Sequence, residues 1–325
     1  MHYTQQEKYE IIRLVEGSEL GVIRTLRQLK INKSTFYNWY NQYLRYGYDG
    51  LARKKAKRQT VWNRISDADR DKVVEIALEK PESSSRELAW HITDHYRYYI
   101  SESSVYRILK ANGLISMPAF TVMSASASFH DKTTAINQMW QTDFTYFKIL
   151  GWGWYYLSTI LDDYSRYIIH WELCSTMKAT DVMQTVEKAL QLTGLSEKNP
   201  PKLLSDNGSA YLSKDLAEYL DDRKIRHIKG RPNHPQTQGK IERYHRSMKN
   251  IVKLDNYYSP GQLKLKITEF VHFYNHERYH ESLQNLTPAD VYFGRTERRL
   301  KQRKIIKLKT LNDRKNLNQK IQVTL

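Results

Sequence analysis

The sequence predicts an α/β protein in which two all-helical units precede a mixed sheet covered by helices. Three observations lead there. Residues 4–115 alternate helix caps with apolar stripes at helical spacing. At residue 135 the texture changes to alternating aromatic and β-branched residues, which is the pattern of strands. Beyond residue 180 helix and strand signals take turns, an order that lays helices on a sheet. At 325 residues the chain is long enough for two or three domains with at least one sizeable core.

Taken in order, "TQQE" is a capping box, with Thr4 as N-cap and Glu7 at N3. It precedes the stripe Ile11, Ile12, Leu14 and Val15, and Gly17 ends that helix. A second helix carries Val22, Ile23, Leu26 and Leu29 on one face. A third runs from Ser34 to a stop at Gly47. Helix, short turn and helix with a polar last element is the helix-turn-helix pattern, so Thr35 and Asn38 are candidate DNA contacts. A small helical bundle without a DNA role is the plainer alternative. The arrangement recurs in "SDADRDKVVEIALEK", stopped by Pro81, in "SSRELAWHITDHY", and in "SESSVYRILKANGLI", which starts at Ser101 or Ser103. Domain boundaries follow: 1–60 with a basic linker, 61–115, an aperiodic linker at 116–134, an α/β core at 135–294 and a basic tail at 295–325.

Within the core, "NQMWQTDFTYFKIL" reads as a strand, and "WGWYYLSTILDDYSRYIIHWEL" as two strands joined near Asp162 and Asp163. An amphipathic helix, the short strand of "PKLLSDNG", a second helix, the strand of "IRHIKG" and a helix opening at "GKIERYHRSMK" complete it. In that last helix Ile241, Tyr244, Met248, Ile251 and Val252 form the apolar stripe, while Glu242, Arg246 and Lys249 share a neighbouring face.

Charge narrows the class. The net charge is +17 and the pI near 9.6, which calls for a polyanionic partner. The charge is segregated: 11 Lys and Arg against 2 acids from Arg295 to Leu325, and a block "ARKKAKR" at 52–58 that makes Lys54 and Lys55 candidate phosphate contacts. No apolar run approaches a bilayer span, mean hydropathy is −0.71, and "MHYTQQEKYE" lacks the features of a signal peptide, so a soluble intracellular protein without membrane contact is expected. A single cysteine, Cys174, excludes an intrachain disulfide framework and Cys-based zinc modules, and is read as a small buried strand residue.

Three acids stand out by position. Asp143 lies mid-strand, where Asp is disfavoured, Asp206 ends a strand, and Glu242 opens a helix crowded with Lys240, Arg243, Arg246 and Lys249. Singly each has a plain account: a backbone hydrogen bond, a "DNG" turn, or an ion pair with Arg246 at i+4. Together, acids on adjacent core elements are what a two-metal phosphoryl-transfer site requires.

The motifs "WQTDFTY", "DDYSRYIIHWE", "SDNGSAYLS" and "HPQTQGKIERYHRSMK", with 35 residues between Asp206 and Glu242 and Lys249 seven positions after the Glu, resemble the DDE transposases of bacterial insertion sequences, in the branch similar to retroviral integrases. The resemblance covers residues 85 to 295, ending in "YNHERYHESLQNLTPADVY". It implies an RNase H-like mixed sheet (an integrase catalytic core) preceded by all-α helix-turn-helix DNA-binding domains. It implies two Mg²⁺ or Mn²⁺ ions held by Asp143, Asp206 and Glu242, with Lys249 holding a phosphate near the cleaved end and Arg246, Arg243 and Lys240 beside it. The implied activity is cleavage at the element's ends, freeing a 3′-OH that then attacks another phosphodiester, with no covalent protein–DNA intermediate. The implied partners are double-stranded DNA, both terminal inverted repeats and target, and further copies of the chain in a dimer or larger assembly. A bacterial, cytoplasmic and nucleoid-associated location goes with this reading.

Two other classes compete: a catalytically silent DNA-binding regulator derived from a transposase, and an RNase H-like nuclease that cuts without joining. "HERYH" also fits the zinc-protease pattern, with His276 and His280 as ligands, Glu277 as base and His272 extending the spacing, although polar residues near DNA or on the surface are the better account. His91 and His95 receive the same reading, and Asp162 and Asp163 are explained as turn residues.

Overall fold

Helix caps lay out the N-terminal unit, residues 1–61. In the computed structural model, which describes residues 3–52, 61–115, 133–195, 199–230, 239–253 and 255–323 (321–323 by backbone alone), the Thr4/Glu7 capping box opens α1 (Gln5–Glu16). Gly17 closes it, and α2 (Val22–Gln28) and α3 (Lys33–Tyr46) follow. The N-cap of α3 is Asn32, so the helix begins just before the expected Ser34, because the Asn32 side chain accepts from the Ser34 amide. Ile12, Val15, Leu26, Phe36 and Leu51 form the core. Leu14 and Ile23, assigned to the apolar stripes by spacing, are exposed, since three short helices bury only a narrow seam. A short 3-10 turn, Gly47–Leu51, folds back on α3, and a Cβ at Gly50 would stand 2.3 Å from the Gln42 carbonyl oxygen. Only glycine permits that approach.

Residues 62–325 form the second unit. It opens with α4 (Asp67–Glu79), α5 (Ser85–His95) and α6 (Glu102–Ala111), each started by a serine N-cap. Val73, Ile76, Leu88, Ile92, Val105 and Leu109 close them around their own core. The expected linker at 116–134 lies mostly outside the described residues.

The sheet has five strands in the order β3-β2-β1-β4-β5. β1 (Met139–Ile149), β2 (Gly153–Asp162) and β3 (Ile168–Cys174) form an antiparallel meander. β4 (Lys202–Ser205) and β5 (His227–Lys229) run parallel to β1. α7 (Ala179–Thr193) and α8 (Lys214–Asp222) contribute to the core on one side, with Trp140, Ile160, Val186 and Leu216. α9 (Gly239–Val252) and α10 (Pro260–His276) contribute to the other, with Phe147, Leu157, Tyr244, Met248 and Phe270. Burial on both sides explains the long runs of Trp, Tyr, Ile and Leu in β1 and β2. Cys174 ends β3 half-buried rather than sealed in the core, and burial pushes its thiol up to about 12.

α11 (Pro288–Tyr292) is short, and the segment expected as a basic tail is α12 (Thr296–Val323), one helix of 28 residues. Its buried side chains are mostly polar: Arg303, Thr310, Arg314 and Asn318, with Ile306. Arg303 donates to both carboxylate oxygens of Asp94 at 2.8 and 2.6 Å and to the Gln284 and Asn285 carbonyls, and stacks over Trp90 at 4.4 Å. Arg314 donates to the Tyr98 hydroxyl, Asn63 Oδ1 and the Tyr99 carbonyl. Asn318 Nδ2 donates to the carbonyls of Trp62 and Arg64. α12 therefore straps the helices of residues 62–115 to the loop that follows α10.

Candidate active site

Parallel pairing brings two of the three acids together. Met139, Trp140 and Gln141 of β1 register with Lys202, Leu203 and Leu204 of β4. Two residues further along each chain stand Asp143 and Asp206, in step, where β4 ends. Carboxyl ends of parallel strands are where α/β sheets place their sites. The "DNG" turn holds the second acid: the Gly208 N–H donates to Asp206 Oδ1 at 2.9 Å, and Asn207 Nδ2 donates to the Gly230 carbonyl beyond β5. A Cβ on Gly208 would sit 3.0 Å from that same carboxylate oxygen. The turn account of Asp206 and the site account are thus one arrangement.

The third acid arrives on α9, and a polar network fixes that helix against β1. Gln141 Oε1 accepts from the Ile241 N–H at 3.1 Å, while Gln141 Nε2 donates to Asp163 Oδ1 at 2.6 Å. Lys240 Nζ donates to Asp163 Oδ2 and to its carbonyl, at 2.6 and 2.7 Å. Ile241, Tyr244, Met248 and Val252 then bury the helix, leaving Glu242 on its rim. His245, also buried, places Nδ1 3.3 Å from Asp143 Oδ2.

Electrostatics tie the three acids to one another. Burial pushes the Asp206 carboxyl up and Asp143's charge adds to it, against the Gly208 hydrogen bond. Burial and then Asp143 likewise raise Glu242, opposed by Arg243, Arg246 and His245. Asp143 is the member that both others sense. Among the described residues no three His, Cys, Asp or Glu side chains stand close enough together to hold an ion as they are. The donor set nevertheless suits a divalent cation: three hard-oxygen ligands whose mutual repulsion an ion would relieve.

The other expected residues separate into groups. Arg243 and Arg246 are exposed beside Glu242. Lys249 Nζ lies 4.7 Å over the Tyr146 ring, and Asp143's charge acts on it. Lys240, expected on DNA, is committed to Asp163, and the Asp162–Asp163 turn is more than a turn. Asp162 is fully buried and accepts from Asn137 N, Ser165 N and Ser165 Oγ, while Asp163 anchors α9. In the N-terminal unit Asn38 is exposed and Thr35 half-buried on α3. Lys54 and Lys55 lie outside the described residues. His245, Gln141 and Asp163 were not read as site residues from the sequence. The spacing of His245, three positions after Glu242, was the signal available for it.

The zinc reading of "HERYH" fails on geometry. α10 ends at His276 with Glu277 as its cap, so His276 and His280 are not successive turns of one helix. His280 instead pairs through its backbone with Leu286. His91 and His95 stack at 4.3 Å, and burial lowers His91 to about 4.

Residues 133–235 match the family model for an integrase core domain, residues 223–288 a second integrase core model, and residues 35–109 a homeodomain-like domain. The chain is 32% identical over 130 residues to the Gag-Pro-Pol polyprotein of mouse mammary tumor virus (strain BR6), covering 38% of this chain and 7% of the polyprotein. It is 33% identical over 115 residues to an intracisternal A-particle Pol-related polyprotein of mouse intracisternal a-particle MIA14, covering 35% and 13%. The chain thus spans a small part of these relatives' length. Among solved structures it is similar to the HTLV-2 integrase catalytic core domain in complex with magnesium, at 22% identity and a TM-score of 0.40 over 49% of this chain and 97% of that one. It is similar also to the simian T-cell lymphotropic virus intasome in complex with PP2A regulatory subunit B56 gamma, at 18% identity and 0.44 over 68% and 74%. No helix among the described residues is long and apolar enough to cross a membrane. The five-stranded mixed sheet with its flanking helices matches an integrase catalytic core of RNase H-like fold, and a helix-turn-helix region precedes it.

Proposed function

We propose that this chain is a DDE transposase of a bacterial insertion sequence, which binds the ends of its element, cuts there and joins the freed ends to target DNA. What supports the reading is that Asp206, on the turn after β4, and Glu242, on α9, are each raised by burial and then by the charge of Asp143 on β1. Asp143, Asp206 and Glu242 would hold Mg²⁺ or Mn²⁺, and the ions would supply Lewis acidity to the phosphodiester. The protein's own residues position the rest. His245 orients Asp143, Gly208 orients Asp206, and the Gln141–Asp163–Lys240 network sets the first turn of α9. Lys249, Arg243 and Arg246 face the phosphates of the strand being cut, and the two helical regions grip the element's ends. Two ends must be held at once, so the working form is a dimer or larger assembly on DNA, in the bacterial cytoplasm.

The test uses purified protein, Mg²⁺ and duplexes from the DNA flanking its coding sequence. Wild type is expected to nick at an end and to join that end to a second duplex. Asp206→Asn abolishes both steps while binding persists. Joining by the variant would sink the assignment of the acids, and wild-type nicking without joining would favour a nuclease.

A further inference from the structure

A cleft of about 360 Å³ lies where α5 meets the loop after α10. Arg86 and Glu87 line it from α5, Arg166 from the turn between β2 and β3, and Arg278, His280 and Glu281 from the loop. Its two acids are already engaged. Glu87 accepts from Ser84 N and Oγ in the capping box of α5, and Glu281 pairs with Arg86 at 2.5 Å. Arg166 and Arg278 have no carboxylate in ion-pair contact among the described residues.

Four further observations converge on the same spot. Arg166, Arg278 and Arg243 all act on the phenol of buried Tyr274, which burial pushes up to about 12 against their opposing fields. The Arg278 guanidinium lies 5.8 Å over the Tyr274 ring. Arg166 is itself largely buried, and the carboxylate whose field it feels, Asp163, already pairs with Lys240. Its backbone is also left-handed, at φ 65°, where glycine is the default and a side chain is disfavoured. A long cation persisting in such a position points to a use for its side chain. His280 faces the arginines with a buried Nε2 that has no hydrogen-bond partner among the described residues, and burial with Arg278, Arg166 and Arg86 lowers it to about 3.

We propose that this cleft seats a backbone phosphodiester of the bound DNA, with Arg166 and Arg278 gripping its non-bridging oxygens and Arg86 at the border. The inference rests on the reading of the chain as a DNA-joining enzyme and adds a contact to it. Guanidinium forks suit phosphate oxygens better than any other side chain, and the phosphate supplies the direct anionic contact that neither arginine makes with a carboxylate among the described residues. Arg243 links the cleft to Glu242, whose field it shares, so one run of cations leads from the acids to α5. The strand held at the acids is thereby held a second time against the helical region.

The experiment measures binding of a fluorescein-labelled duplex from the flanking DNA by anisotropy across a salt series, in EDTA so that nothing is cut. Each lost phosphate contact lowers the slope of log K against log salt by about 0.9, so Arg166→Gln/Arg278→Gln is expected to lower it by about 1.8. Arg278→Gln alone lowers it by about 0.9 and leaves the Arg166 turn intact, should the double variant fail to fold. Arg166→Lys/Arg278→Lys keeps most of the slope. A scan of single methylphosphonates should find a position that weakens wild type but not the double variant. An unchanged slope in folded Arg278→Gln and in the double variant overturns the proposal. So does stabilisation of wild type, but not of the variants, by inorganic phosphate without any change in DNA slope, which would make this a site for free oxyanions. If wild type binds no duplex at all, the reading under Proposed function falls with it.

Discussion

α9 and α12 are both basic helices, yet their arginines are placed in opposite ways. α9 carries four Lys and Arg against one acid, buries an apolar stripe, and turns Arg243 and Arg246 outward beside Glu242. α12 carries ten against two, and buries Arg303 and Arg314 with carboxylate, carbonyl and aromatic partners. The first helix leaves two arginines open to solvent beside an acid, and the second uses its arginines as internal fasteners. A count of charges does not distinguish these uses. What each cation is packed against does.

The difference can be broken at defined points, beginning with the largest expected effect. Arg303→Ala leaves Asp94 buried without its counter-charge, so residues 62–325 should lose about 3–5 kcal/mol in urea unfolding. A loss below about 1 kcal/mol would mean that α12 is not a strap. Met248→Ala empties the apolar seam of α9 and should remove about 2–5 kcal/mol, read in the same titration. Arg246→Gln should leave stability within about 0.5 kcal/mol of wild type while lowering the salt slope of DNA binding by about 0.9. A destabilised variant with unaltered DNA binding would place Arg246 with the fasteners. The smallest effect concerns pH. Burial lowers His280 from 6.5 to about 3, so the unfolded chain binds its proton first. The stability this residue contributes is complete above about 6.5 and lost as pH falls toward 3. His280→Gln should therefore flatten the fall in stability between pH 6.5 and 4, measured by melting temperature; an identical slope would exclude it as a contributor.

Local rules made much of this legible in the sequence. The capping boxes at Thr4 and Ser84 announce their helices, and the alternation in β1 and β2 announces the meander. The apolar stripe of α9 puts Glu242 on the rim without reference to any other element. The acids were conspicuous because each contradicts its surroundings: Asp143 in a strand, Glu242 among cations. What could not be read was pairing at long range. Nothing near Lys240 says that its partner is Asp163, 77 positions earlier, and nothing in "LKTLNDRKNLNQK" says that its Arg and Asn face inward. Helical periodicity marks a buried face only when that face is apolar, and the buried face of α12 is largely polar.

The strap has a consequence in time as well as in space. Its contacts join residues 62–99 to residues 303–318, separations of about two hundred residues and more. A ribosome delivers the helices of residues 62–115 and the whole catalytic sheet before it delivers α12, and domains fold as they emerge. During that interval the two parts have their own cores without the fastener between them. Synthesis of α12 therefore acts as a clock, and the alignment of these helices with the sheet is among the last properties the growing chain acquires.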